Sequence, residues 1–169
     1  LATVLKDDPM LNVRLDGPVS HPARVVLDSH LSIPVDSKLV KTAKEIPLYL
    51  ACVASSDEAF LLRKKTLEDK GVRILETPAL DGRVDLNVLM DLLGAEKLDS
   101  LLIEGGGMVH AAALKAGIVN HCQIYPGPVA GEGIDEVVEC YKLINISYRV
   151  FGDDLLMEGD LLYPCLQES

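Results

Sequence analysis

No apolar run in this chain of 169 residues approaches the ~20 residues a membrane-crossing helix needs, and no signal-peptide pattern opens it. Basic charge is in short supply. Sixteen Lys and Arg stand against 26 Asp and Glu, a formal net charge of −10. That field repels polyanions, which argues against nucleic acid and anionic membranes as partners. The four cysteines (Cys52, Cys122, Cys140, Cys165) form no C-x-x-C pair, and His21, His30, His110 and His121 show neither H-x-E nor H-E-x-x-H spacing. No metal site is expected, and the thiols read as buried and reduced. The sequence has no internal repeat and no low-complexity tract. What remains, at 49% apolar and 25% charged residues, reads as one soluble, cytoplasmic domain over 1–169, long enough to bury a real core.

The most informative stretch is 101–117. Leu101, Leu102 and Ile103 form a short apolar run without alternation, which predicts a strand buried on both faces, as in a parallel sheet. Gly105, Gly106 and Gly107 follow, and then an alanine-rich segment with high helix propensity, closed by Gly117 as a C′ glycine. Strand, glycine turn and helix together point backbone N–H groups and the positive end of a helix dipole outward. Glycine lets a phosphate come close because no Cβ intervenes. Glu104 stands at the predicted strand's carboxyl end, where open α/β sheets bind ligands. The segment matches neither G-x-G-x-x-G nor a Walker A loop, so a tight turn with a solvated acid is an equal reading of these residues.

Along the rest of the chain, Asp7-Asp8-Pro9 stops whatever precedes it, and 10–13 reads as extended. A buried strand, 24–27, ends in Asp28 and Ser29; Ser29 could hold a ligand or simply begin a turn. The next strand is 47–53. Ser55 and Glu58 have capping-box spacing and open a helix ending at Gly71, with Arg63-Lys64-Lys65 read as its exposed face. A strand over 72–75 and a loop over 78–83 lead to an amphipathic helix capped by Asp85. Its apolar residues Leu86, Leu89, Met90 and Leu93 fall at i, i+3, i+4 and i+7. After a strand at 122–125, two strands over 141–150 and 155–162 meet at Phe151-Gly152-Asp153-Asp154, a hairpin signal. The expected class is α/β: a mainly parallel mixed sheet flanked by helices, with a C-terminal antiparallel hairpin.

Three blocks carry a resemblance. Thr3-Val4-Leu5-Lys6-Asp7-Asp8-Pro9-Met10-Leu11-Asn12-Val13-Arg14, then Arg24-Val25-Val26-Leu27-Asp28-Ser29, then Leu102-Ile103-Glu104-Gly105-Gly106-Gly107 with Lys115-Ala116-Gly117-Ile118-Val119, agree in order and spacing with the RibD reductase-domain family. The closing Phe151–Asp154 and Glu158-Gly159 also resemble that family's last hairpin. The resemblance implies a dihydrofolate-reductase-like fold and NADPH-dependent reduction of 5-amino-6-(5-phosphoribosylamino)uracil to its ribitylamino product, in riboflavin biosynthesis. It implies that Thr3, Asp7 and Ser29 contact NADPH, and that Gly106, Gly107, Met108, Val109, His110, Ala111 and Ala112 hold the cofactor's diphosphate. It implies that Leu11, Arg14 and Glu104 meet the phosphorylated pyrimidine ribosylamine substrate. No catalytic residue is assigned. A homodimer and a zinc deaminase domain fused upstream are further expectations. The family's first strand has no counterpart in these residues, and Asn120-His121 stand where the family often has Asp-Glu. Two other readings share the same residues: a dihydrofolate-reductase-like oxidoreductase with another substrate, and a non-catalytic NADPH-binding fragment.

Overall fold

The computed structural model describes residues 2–14, 17, 20–125 and 141–164, apart from the side chains of Ala2 and Thr3. They divide into two compact units, 1–99 and 100–169, each with its own sheet.

In the first unit, β1 (Arg24–Leu27), β2 (Leu48–Val53) and β3 (Arg73–Thr77) form a parallel sheet in that order, with Arg24 opposite Leu48 and Tyr49 opposite Arg73. The helices α2 (Lys38–Lys41) and α3 (Glu58–Glu68) lie in the crossovers, as parallel strands require. β2 is buried on both faces. Its alternation sends Leu48, Leu50 and Cys52 into one cluster with Leu39 and Leu67, and Tyr49 and Ala51 into another with Leu75, Leu89 and Leu93. The strand expected over 47–53 is thus present at Leu48–Val53. Cys52 is fully buried, and that burial, with Glu76 nearby, pushes its thiol up to about 12.

Local chemistry sets the helix ends. Asp85 caps α4 (Leu86–Ala95), its carboxylate accepting from Asn87 N–H at 2.9 Å and Val88 N–H at 3.2 Å. The cap of α3 differs from the expectation. Asp57 accepts the Phe60 N–H at 3.1 Å, while Ser55 Oγ accepts only the Asp57 N–H, so the capping residue is two positions later. An ionised acid is the stronger acceptor at a helix N-terminus. The span 78–83, read as loop, holds a small hairpin of β4 (Ala79–Leu80) and β5 (Arg83–Val84). Asp81 and Gly82 turn it with φ of 51° and 72°, the two positive angles an Asp-Gly hairpin turn uses.

The buried Arg24 ties this unit together. Its guanidinium donates to Met10 O at 3.2 Å, Thr42 Oγ1 at 2.8 Å and Leu39 O at 3.4 Å, and also to Thr42 O and Ile46 O. No acid pairs with it among the described residues, and burial lowers its pKa.

In the second unit, α5 (Gly107–Lys115) precedes an antiparallel sheet ordered β6-β8-β7, from β6 (His121–Ile124), β7 (Lys142–Phe151) and β8 (Asp154–Leu162). The expected hairpin joins β7 and β8, with Gly152 at φ 61° in its turn. Gly117, at φ 69°, follows α5 as expected. Glu158 on β8 accepts from Arg149 at 2.6 Å, and Arg149 is the main reason its carboxyl sits below the usual range. Asp160 is also lowered, by Asn145 first and then by His121.

The expected strand at 101–103 does not form: Leu102 is 79% exposed and Leu101 42% exposed. A strand needs a second backbone to complete its ladder, and apolar side chains alone do not supply one. Cys140 and Cys165 lie outside the described residues.

Candidate functional site

The first block of expected site residues folds as α1 (Ala2–Asp7), ended by Asp8 at φ 39° and by Pro9. Thr3 lies within α1. Asp7 is exposed at the helix's C-terminal end, where the dipole disfavours an acid, so local helix energetics do not account for it. Asp8 accepts the Lys38 N–H at 2.9 Å, fastening α1 to the start of α2. Leu11 is not extended as expected; its φ is 47°, and it turns the chain with its side chain 36% exposed. Arg14 is exposed and pairs with no acid among the described residues. An exposed guanidinium with no acid partner among the described residues suits an anionic group on a ligand.

Ser29 lies just beyond β1. Its carbonyl accepts the Val53 N–H at 3.1 Å, continuing the ladder to β2, while its hydroxyl has no partner among the described residues. It opens on a cleft of about 660 Å³ at the carboxyl ends of β1 and β2, which His30, Ser55, Asp57, Phe60 and Arg63 also line. Ligands gather at that end of open parallel sheets.

In the second unit, Gly106 is the N-cap of α5, and no side chain caps the helix. The N–H groups of Val109 and His110 return to Gly106 O at 2.9 and 3.2 Å, whereas those of Gly107 and Met108 have no partner among the described residues. A Cβ on Gly106 would meet nothing within 4 Å, so an open approach to these amides exists that a side chain there would fill. His110 reaches back to Ile103 O at 3.2 Å and holds the turn. Ala111 and Ala112 are half-buried one turn further on, away from the open N-terminus. Glu104 is exposed and has no partner among the described residues.

The expected residues thus divide between the units: Thr3, Asp7, Leu11, Arg14 and Ser29 belong to the first, and Glu104 with the α5 turn to the second. Reading the sequence missed two groups. Asp28 does begin a turn, its carbonyl accepting the Leu31 N–H, but its buried carboxylate also organises the loop after it. Arg63 was assigned to an exposed face; it is half-buried and lines the cleft. The signal lay in Phe60, Lys64 and Leu67 at i, i+4 and i+7, the stripe that turns this side of α3 inward. Among the described residues, no helix is long and apolar enough to cross a membrane, and no three His, Cys, Asp or Glu gather to hold a metal.

The fold is that of the pyrimidine reductases, dihydrofolate-reductase-like in class. The structure of Saccharomyces cerevisiae riboflavin biosynthesis reductase Rib7 matches at a TM-score of 0.69 and 22% identity, over 95% of this chain and 72% of that one. A pyrimidine reductase-like protein of Corynebacterium diphtheriae matches at 0.66 and 20% identity, over 84% and 62%. The chain belongs to the RibD C-terminal domain family, whose model matches residues 1–135. It is 39% identical to the riboflavin biosynthesis protein RibD of Actinobacillus pleuropneumoniae, over 96% of this chain and 45% of that protein. It is 30% identical to the 2,5-diamino-6-ribosylamino-4(3H)-pyrimidinone 5′-phosphate reductase of Methanothermobacter thermautotrophicus, over 92% and 74%. The chain therefore spans less than half the length of the first of these relatives.

Proposed function

We propose that this chain reduces 5-amino-6-(5-phosphoribosylamino)uracil to its ribitylamino product with NADPH, in riboflavin biosynthesis. The observation that carries this is the open, side-chain-free N-terminus of α5, whose Gly107 and Met108 amides suit a diphosphate. When bound, the cofactor supplies the hydride. Membership of the RibD C-terminal domain family supports the reaction, and the unpaired Arg14 supports a phosphate on the substrate.

Each residue then has a task. The backbone of Gly106–Met108 holds the diphosphate, and Thr3, Asp7 and Ser29 orient the rest of the cofactor. Val109, His110, Ala111 and Ala112 form the helix that presents those amides. Leu11 packs on the pyrimidine side, and Arg14 binds the 5′-phosphate bidentately. Reduction at C1′ requires the sugar ring to open, with a proton reaching the departing ring oxygen. Glu104 hydrogen-bonds the ribose hydroxyls and orients C1′. In the whole protein, a homodimer and a fused zinc deaminase domain complete the reading; the greater length of the RibD relatives supports the second.

The test is loss of NADPH absorbance on adding the phosphoribosylamino uracil to the purified protein. Turnover with NADPH and the ribitylamino compound as product is the expected result. Absence of turnover in the full-length protein, with substrate and cofactor both present, overturns it.

A further inference from the structure

The segment 29–33, which carries Ser29 and walls the cleft, is gripped from both sides. From below, the carboxylate of Asp28 accepts the Ser32 N–H at 2.9 Å and the Ile33 N–H at 2.8 Å, and its carbonyl accepts the Leu31 N–H at 3.1 Å. From α3, Arg63 Nε donates to Leu31 O at 3.0 Å, and Arg63 Nη2 donates to Ile33 O. The segment's amides meet a carboxylate and its carbonyls meet a guanidinium.

Neither group is placed there cheaply. Asp28 is 2% exposed, and a buried carboxylate is stable only where donors replace its water. Leu31 sits at φ 53° with its side chain 1% exposed, a backbone angle that non-glycine residues avoid. Strain held by two charged side chains beside a cleft marks a shape the surroundings impose.

We infer that Asp28 and Arg63 are positioning residues for the cofactor: together they fix 29–33 so that the Ser29 hydroxyl and the cleft wall are already in place when the dinucleotide arrives. This rests on the proposed role of Ser29 in holding NADPH. Nε and Nη2 of Arg63 serve the loop carbonyls, and it is through these bonds that Arg63 acts here. Charge and geometry are therefore separable. Arg63→Lys keeps the charge but loses the planar fork that serves two carbonyls at once. Asp28→Asn offers one acceptor where two amides need one each.

The experiment is titration calorimetry with NADPH, together with steady-state kinetics, on the full-length protein and these two variants. Both variants should bind NADPH about tenfold more weakly, with KM for NADPH rising to match, while kcat at saturating NADPH and KM for the pyrimidine stay unchanged. Wild-type affinity in Arg63→Lys would show that charge alone suffices and overturn the inference. So would a fall in kcat with no change in cofactor KM. Should Asp28→Asn fail to fold, Arg63→Lys decides alone. If the wild-type protein binds no NADPH, the cofactor role itself falls, and this inference goes with it.

Discussion

A Cβ built on Gly105 would stand 2.6 Å from Val109 Cβ, whereas one on the adjacent Gly106 would touch nothing within 4 Å. Two neighbouring glycines are thus glycine for different reasons: one for packing against the helix, one for leaving space in front of it.

Gly105→Ala should lower stability by about 1–3 kcal/mol, as overpacking does. Because the nearest atom is Val109 Cβ, adding Val109→Ala should not restore it. Chemical denaturation of the single and double variants checks this.

Gly106→Val should leave the fold intact, since its φ of −71° suits any residue. NADPH affinity should fall more than tenfold, about 1.4 kcal/mol, as the branched side chain fills the approach to Gly107 and Met108. Unchanged affinity by calorimetry would remove the diphosphate from this turn.

Arg14→Lys keeps the charge and loses the bidentate fork. KM for the phosphorylated substrate should rise while NADPH binding is unaffected. An equal rise for the dephosphorylated analogue would mean that Arg14 serves some other group.

Glu104→Gln should keep much of kcat, and Glu104→Ala should lose it, because an amide can still hold hydroxyls. If Gln falls as far as Ala, on the order of 10²–10⁴-fold, Glu104 is the proton donor rather than the group that orients the sugar.

The Glu158 carboxyl is held low, chiefly by Arg149. Its folded pKa lies below its unfolded value, so it stabilises the hairpin above the unfolded pKa. That contribution is lost as pH falls through the lowered folded value. Arg149→Ala should move the Glu158 titration back up toward the usual range, readable by NMR of its side-chain carboxyl.

What could be read from the sequence was mostly what neighbours in the chain decide. Asp85 caps the helix that starts beside it, Gly117 ends α5 two residues after Lys115, and Gly152 turns the hairpin that holds it; each signal and its effect lie within a few positions. Where partners are distant, reading failed. Arg63 meets carbonyls some thirty residues back, and nothing in Arg63-Lys64-Lys65 announces them. The run 101–103 has the composition of a buried strand, but composition does not say which backbone would pair with it. For the site, the glycine turn, Glu104 and Ser29 could be read as candidates from the residues alone, each with a plain turn or a solvated end as the alternative. The assignments of Thr3, Asp7, Leu11 and Arg14 came from the resemblance.

The double burial of β2 has a consequence for how this chain can vary. Leu48, Leu50 and Cys52 answer to one set of neighbours, and Tyr49 and Ala51 to another, so no residue from 48 to 52 can drift in size without displacing a partner on its side. The strand's amides should also be among the slowest of the first unit to exchange in deuterated water, because reaching them means parting both clusters at once. Those of Gly107 and Met108, which have no partner among the described residues, should exchange almost immediately.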